Sequence, residues 1–388
     1  MTNQRVVELL CDLISLPSAN PVYDPASRGE AEMAEYVEAW AIELGLPVSR
    51  QNVFPGRDNM LVRMAGPEGA PTLLFEAHMD TVGVDGMDAP FAPEERDDRV
   101  FGRGACDTKG SLAAMMAALE GLVSEGLELA CTVELLAAVD EETSGKGAIA
   151  FVQQNSPASA AIIGEPTGCR VINRHNGCVR GEIKGVGRSA HTSVASEGVN
   201  AIDGMADVIV ALRAVNQELV NRPGGPAANG SLTVSLISGG AGINVVPERC
   251  VVSYDRRIVP GQTSQEALAE IDAALDTVRA SRPEIGIERH APWLEGDSLS
   301  TPPESGIVGT ASAACVALGI DGTPEWVPYG SDASKFQEGG VPAVVFGPGS
   351  IANAHAIDES VPIADLVTAT AFYREVALRF GPDQTHRQ

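Results

Sequence analysis

The alternation of apolar runs with helical patterns constrains the fold of this chain more than any other feature of its sequence. Each of these apolar runs ends in charged residues. The apolar runs are TLLFEAHMD (72–80), ACTVELLAAVDEE (130–142) and AAIIGEP (160–166), and the helical patterns between them are DTKGSLAAMMAALEGLVSEG (107–126) and AIAFVQQN (148–155). Strands alternating with helices predict an α/β sheet, and the charged strand ends predict a functional site along its carboxyl edge.

The pattern changes after residue 176 and returns to the first type near residue 297. Between these positions, alternating strands such as CVRGEIKGVGRSAHTS, SLTVSLISGG and RCVVSYDRRIV are combined with the long helical segments AIDGMADVIVALRAVNQEL and SQEALAEIDAALDTVRA. A length of 388 residues also suggests about two domains. We therefore predict a catalytic domain in two segments, interrupted by an α+β insert, with the boundaries 1–176, 177–296 and 297–388.

Composition and apolar patterning exclude several classes of function. The formal net charge of −25 repels polyphosphates and anionic lipids, so nucleic acid and membrane are poor partners. The first twenty residues indicate an amphipathic helix, not a signal peptide, and apolar runs such as LAAMMAAL (112–119) are too short to span a bilayer. The seven cysteines are scattered without a C-x-x-C pair, which favours neither disulfides nor a thiolate zinc site. We expect a soluble cytoplasmic protein.

Histidine and carboxylate side chains stand at the predicted strand ends and in two further segments. Taken singly, such residues are usually solvated turns or structural histidines. Together they are the ligands of a hydrolytic zinc site that leaves a position open for water, and two histidines with three carboxylates would hold two ions, one carboxylate bridging. The candidates are His78 and Asp80 in EAHMDTV, Asp107 in GACDTKG, Glu141 and Glu142 in AVDEETSG, Glu165 in IGEPT, and His355 in ANAHAIDE.

The spacing of these residues suggests different roles. His78 and Asp80 lie two apart on an extended segment and face the same way, so the Asp80 carboxylate can accept the second ring N–H of the histidine. The adjacent Glu141 and Glu142 must point in different directions. One of them can bind metal while the other reaches the attacking water as a general base.

The motifs H-x-D, D-x-K-G, E-E, G-E-P-T and a late A-H, in this order, resemble those of the M20 metallopeptidase family, which includes acetylornithine deacetylases, succinyl-diaminopimelate desuccinylases and glutamate carboxypeptidases. The similarity runs over nearly the whole chain. It implies a zinc-peptidase-like catalytic domain, with a mixed sheet flanked by helices, and an inserted α+β lid and dimerisation domain. It also implies two zinc ions per subunit, for which Co²⁺ or Mn²⁺ can substitute, and a homodimer.

The same resemblance implies a role for each ligand candidate. One zinc ion would be held by His78, Asp107 and Glu165, and the other by Asp107, Glu142 and His355. Asp107 would bridge the ions, Glu141 would be the base, and Asp80 would support the ligand His78. Glu165 in its GEPT setting resembles the deacylases more than the aminopeptidases.

Further resemblances concern substrate contacts. GVGRSAHTS resembles the lid motif whose histidine, here His191, reaches across a dimer to polarise the scissile carbonyl. GAGINVVPE and YDRRIVP resemble segments whose Asn and Arg, here Asn244 and Arg257, bind the substrate carboxylate, whereas the intervening Arg256 is expected to be exposed. YGSDASKF resembles the G-[ST]-D-A segment and assigns Ser331 to substrate binding, while Ser334 stands where many members have arginine.

These observations favour hydrolysis of the amide bond of a small N-acyl amino acid. A dipeptidase or carboxypeptidase with the same metal chemistry stays open, because the acyl-side pocket that separates them cannot be read from the sequence. A non-catalytic binding module predicts loss of a ligand or of the base, yet all these positions are filled. His175, His290 and His386 match no ligand position, and we expect them to be structural or exposed.

Overall fold

The computed structural model describes residues 3–154 and 158–382. The helices are α1 (Asn3–Ile14), α2 (Ala31–Glu43), α3 (Lys109–Ser124), α4 (Lys146–Gln153), the 3-10 helix η1 (Thr192–Glu197), α5 (Ala201–Asn221), α6 (Gly225–Asn229), α7 (Ser264–Ser281), α8 (Gly306–Ala317), α9 (Ala333–Glu338) and α10 (Ile363–Arg379). The strands are β1 (Val48–Phe54), β2 (Arg57–Met64), β3 (Thr72–His78), β4 (Glu94–Arg96), β5 (Arg99–Phe101), β6 (Thr132–Ala138), β7 (Ala158–Ile163), β8 (Ile172–His175), β9 (Gly177–Val186), β10 (Ala190–His191), β11 (Ser231–Gly239), β12 (Val245–Val246), β13 (Arg249–Ile258), β14 (Gly286–Arg289), β15 (Leu294–Gly296), β16 (Leu299–Ser300), β17 (Glu325–Val327), β18 (Ala343–Val345) and β19 (Ser360–Pro362).

The described residues divide into two compact units. The first contains the residues up to Arg174, Thr301–Trp326 and those from Ser331 onward, and the second contains His175–Ser300 with Val327–Gly330. The segment Val327–Gly330 lies outside the predicted insert and yet clusters with the second unit. Among the described residues, no helix is long and apolar enough to cross a membrane.

The first unit is built on a mixed sheet with the strand order β1-β2-β6-β3-β7-β18-β8. Strands β6, β3, β7 and β18 are parallel to one another, whereas β1, β2 and β8 pair antiparallel with their neighbours. The apolar α3 is buried on nearly all sides because it contacts β3, α1 and α10. The expected α/β class, with a mixed sheet flanked by helices, is confirmed.

The central strands position the site. Phe75 of β3 packs edge-on against Tyr373 of α10 with 5.2 Å between ring centroids, so this face of the strand belongs to the apolar core. Side chains alternate along a strand, and His78 therefore lies on the other face, at the last position of β3. His78 is level with Ala138 of β6, and β7 ends at Ile163, so three chain segments leave the same edge of the sheet.

The second unit contains an antiparallel sheet with the order β11-β13-β9-β14. Helices α5 and α7 pack against it, and apolar residues of α5, α7, β9 and β13 form a separate core. The prediction that Arg256 is exposed is wrong, because its side chain is fully buried and donates to Glu270 at 2.7 Å. Alternation along β13 places Arg256 on the same inward face as Tyr254 and Ile258.

Candidate metal centre

Two residues at strand ends and one residue just before a helix form a first ligand group. His78 ends β3, Asp107 precedes α3, and Glu165 follows β7. The His78 Nε2 atom lies 3.1 Å from Asp107 Oδ1 and 3.9 Å from Glu165 Oε1. All three residues are buried, and their nearest ligand atoms lie within 4.8 Å of one another.

A second ligand group shares Asp107 with the first. The His355 Nε2 atom lies 3.3 Å from Asp107 Oδ2 and 3.2 Å from Glu142 Oε2. Each oxygen of Asp107 thus faces a different histidine, which is the arrangement that a bridging carboxylate requires. His355 adopts a left-handed backbone conformation with φ of 60°, and its side chain is half exposed.

Asp80 supports this centre differently from the way its spacing suggested. The His78 Nδ1 atom lies 2.9 Å from the backbone carbonyl of Asp80, whereas the Asp80 carboxylate is 3.6 Å away. That carboxylate instead accepts the backbone amides of Glu141 at 3.1 Å and Glu142 at 3.3 Å. Asp80 therefore orients His78 through its carbonyl and holds the Glu141–Glu142 turn through its side chain.

A buried polar network lies behind this turn. The Asn20 amide donates to Asp80 Oδ2 at 2.8 Å and to Asp140 Oδ1 at 3.0 Å. Glu30 accepts two hydrogen bonds from Arg57 and one from the Asp140 amide, which precedes the acidic pair. Sequence reasoning missed these supports, since their partners lie far away along the chain.

A second missed group supports the loop that carries Asp107. The buried carboxylate of Glu359 accepts hydrogen bonds from that loop, including one from the Asp107 amide. Burial raises the pKa of the Glu359 carboxyl, and the amides of Asp107 and Gly104 act in the opposite direction. The Lys109 ammonium, also buried, donates to the carbonyls of Leu13 and Leu16, and burial lowers its pKa to about 7.

The electrostatics of the two ligand groups fit cations. Burial and the charge of Asp107 raise the pKa of Glu142 to about 7 and that of Glu165 well above its ordinary value, and burial likewise raises the pKa of Glu141. Hydrogen bonds to Asp107 and Glu142 raise the pKa of His355 to about 10. Carboxylates that repel one another become stable in their ionised form when divalent cations lie between them. Imidazole and carboxylate donors also match the preference of hydrolytic zinc sites.

His191 and Asn244 lie together in the second unit. His191 ends β10, which pairs with β12, and the amide of Thr192 donates to the Asn244 carbonyl at 3.1 Å. Both residues are exposed. His191 stands at the end of this two-residue strand, and η1 follows it.

Arg257 and Ser331 make contacts of their own. The Arg257 Nε atom lies 2.8 Å from Asp255 Oδ1, and the arginine is level with Cys178 of β9. Ser331, in the first unit, accepts the amide of Ala333 at 3.3 Å just before α9. Ser334 is buried within α9.

The remaining histidines among the described residues belong to neither ligand group. His175 is buried, and its Nδ1 atom lies 2.9 Å from the Asn176 carbonyl. His290 is exposed, and its backbone amide donates to the Glu182 carbonyl. His386 lies outside the described residues.

Comparisons with known proteins agree with this architecture. Residues 74–379 match the family described as Peptidase family M20/M25/M40. An acetylornithine deacetylase from Vibrio campbellii is 33% identical over 366 residues, which cover 92% of each chain. A tripeptidase structure from Staphylococcus aureus superposes with a TM-score of 0.80 at 19% identity, covering 97% of this chain and 98% of the other. A dinuclear metal-binding M20 peptidase from Bacillus subtilis gives a TM-score of 0.73 at 18% identity, covering 97% of each chain.

Fold, ligand groups and relatives together define the class of this protein, an enzyme that hydrolyses C–N bonds. The chain belongs to the M20 family of metallopeptidases and related deacylases. The family resemblance carried by the five sequence motifs is therefore confirmed.

Proposed function

We propose that the protein hydrolyses the amide bond of a small N-acyl amino acid, as a deacetylase or desuccinylase does, with two zinc ions per subunit. The observation that carries the proposal is the pair of ligand groups that share Asp107, with the Glu141 carboxylate beside them. The deacylase assignment is supported by the acetylornithine deacetylase relatives, which match over most of the chain. Co²⁺ or Mn²⁺ would satisfy the same donors.

The residues of the two groups would hold the ions. His78, Asp107 and Glu165 would bind the first, and Asp107, Glu142 and His355 the second. When bound, such ions supply Lewis acidity that polarises the scissile carbonyl and makes a water molecule more acidic. A bound cation would thus compensate the repulsion between these buried carboxylates and stabilise their close approach.

Glu141 acts as the general base. Its Oε2 atom lies 3.9 Å from His78 Nε2, and its side chain stays partly exposed, so water can reach it. It takes a proton from the attacking water as the C–O bond forms, and it returns that proton to the nitrogen as the C–N bond breaks. Burial raises the pKa of Glu141 above its ordinary value, which makes this carboxylate a stronger proton acceptor.

Substrate recognition is assigned to three further residues. Asn244 and Arg257 offer an amide and a guanidinium for the substrate carboxylate, and Ser331 offers a hydroxyl. The Arg257 guanidinium is partly exposed and forms an ion pair with Asp255 on the outward face of β13. It can therefore bind an anionic ligand, either in place of Asp255 or together with it. These contacts supply a local attraction that offsets the negative charge of the whole chain.

The active unit is a homodimer in which His191 enters the partner's site as a carbonyl donor. The edge strand β11 exposes Leu236 by 68% and Ile237 by 58%, a surface that a second copy would cover. His191 follows the end of β9 and lies beside Asn244, whereas Arg257 pairs with Cys178 near the start of β9, and the strand from Cys178 to Val186 spans about 27 Å at the usual strand rise. The proposal therefore takes His191 and Asn244 from one copy and Arg257 from the other.

A substrate panel tests the proposed activity. The zinc-loaded enzyme is assayed with N-acetyl, N-succinyl and N-formyl amino acids, and with dipeptides and peptides that have a free carboxyl terminus. Turnover of an N-acyl amino acid, with kcat/KM at least tenfold above that of any peptide, is the expected result. A preference for peptides would instead identify the protein as a dipeptidase or carboxypeptidase that uses the same metal chemistry. No turnover of either class, with both ions bound, would favour a binding module.

A further inference from the structure

The carboxylate of Glu359 is buried and receives four hydrogen bonds from one loop. Its Oε1 atom accepts the backbone amides of Cys106 at 2.9 Å and Asp107 at 3.0 Å. Its Oε2 atom accepts the amide of Gly104 at 3.0 Å and the Arg103 guanidinium at 2.6 Å. Each oxygen is therefore an acceptor for two donors.

These contacts join two of the three segments that carry the second ligand group. The donors lie between β5 and α3, in the loop that ends in Asp107. Glu359 follows His355 by four residues, and the next residue, Ser360, pairs with Phe101 of β5. Glu359 thus connects the backbone of one ligand to the chain segment of the other, across 252 residues of sequence.

We propose that Glu359 is a positioning residue that holds Asp107 and His355 at the relative positions that the second ion requires. The inference deepens the proposed function and rests on it, because it requires that ion to bind. His355 needs such an anchor more than His78 does. The His78 side chain is 2% exposed at the end of a central strand, whereas that of His355 is 51% exposed on a loop.

Glu359→Gln removes this anchor without changing the size of the side chain. The substitution replaces one acceptor oxygen by an NH₂ group, which can only donate. Either orientation of the amide points that group at two loop donors, so two buried hydrogen bonds are lost. We expect the affinity for the second ion to fall roughly 10- to 100-fold, as when other supports of metal ligands are removed, and the affinity for the first ion to fall much less.

The experiment compares the two stepwise zinc dissociation constants of wild type, Glu359→Gln and Asp358→Asn. The metal-free proteins are titrated with zinc against a competing chelator. Asp358 is the exposed neighbour and loses the same charge on substitution, so its variant is expected to match wild type. Amide hydrogen exchange of Cys106 and Asp107 in the metal-free proteins gives a readout independent of the ion, and it should accelerate only in Glu359→Gln.

Each outcome decides the matter. Selective loss of the second ion, together with faster exchange of the two amides, supports the positioning role. Unchanged second-ion affinity in a Glu359→Gln protein that binds two ions overturns the inference and leaves the proposed function intact. A wild-type protein that binds no zinc overturns both. If Glu359→Gln does not fold, Glu359→Asp takes its place, and failure of both to fold assigns Glu359 to stability and refutes the proposal.

Discussion

Glu141→Gln tests the division of labour within the acidic pair. Glu141 is outside both ligand groups, whereas Glu142 belongs to the second, so the variant should keep its zinc while losing the proton acceptor. We expect kcat to fall roughly 10²- to 10⁴-fold, which corresponds to about 2.7–5.4 kcal/mol of transition-state stabilisation. KM should change little, because in this mechanism the base transfers protons during the reaction and does not bind the substrate beforehand.

The assay measures kcat, KM and zinc content on the same preparation. Glu68→Gln, at an exposed position, serves as the control for loss of one carboxylate and should behave as wild type. Glu142→Gln is the opposite control, and it should lose the second ion together with activity. If Glu141→Gln loses zinc in proportion to kcat while Glu142→Gln keeps it, the two roles have been exchanged and the reasoning is refuted.

Four further results are expected. Asp80→Asn should weaken zinc binding roughly 10- to 100-fold, since an amide cannot replace both acceptor oxygens of the carboxylate. If zinc titration and the activity assay show no change, Asp80 is an ordinary turn residue. His355→Ala should lose one equivalent of metal by elemental analysis, and retention of both ions would remove His355 from the ligands. His191→Ala should lower kcat roughly 10²- to 10³-fold with metal intact, and mixing it with Glu141→Ala subunits should restore partial activity; inactive hybrids would refute the shared site. Chelation should lower the melting temperature and added zinc should restore it, because the ligand carboxylates repel one another when no cation is present. An unchanged melting temperature would contradict that repulsion.

The sequence predicted the elements that place the ligands. Buried strands ending in polar residues correspond to β3, β6 and β7, and their parallel pairing explains why His78 and Glu165 approach each other. Local patterns were sufficient here because strand periodicity and a common sheet edge determine the geometry. The small sheet of β4, β5 and β19 was not anticipated, since its strands are only three residues long.

What the sequence could not predict depends on partners far apart along the chain. The Asn20 contact with Asp80 spans 60 residues and the Glu359 contact with Asp107 spans 252, and no spacing rule relates such pairs. The burial of Arg256 was within reach, because alternation from Tyr254 places it on the inward face of its strand. The two-residue spacing, by contrast, does not tell whether the carbonyl or the carboxylate of Asp80 meets His78, and the structure places the carbonyl at 2.9 Å and the carboxylate at 3.6 Å.

Anomalous diffraction at the zinc absorption edge, from crystals of the zinc-loaded protein, tests the central claim most directly. The account predicts two peaks in each subunit. One should lie among His78, Asp107 and Glu165, and the other among Asp107, Glu142 and His355, with one oxygen of Asp107 directed at each peak. A single peak that Asp107 does not contact, or zinc bound only at other residues, would contradict the shared two-ion centre and the hydrolytic mechanism built on it.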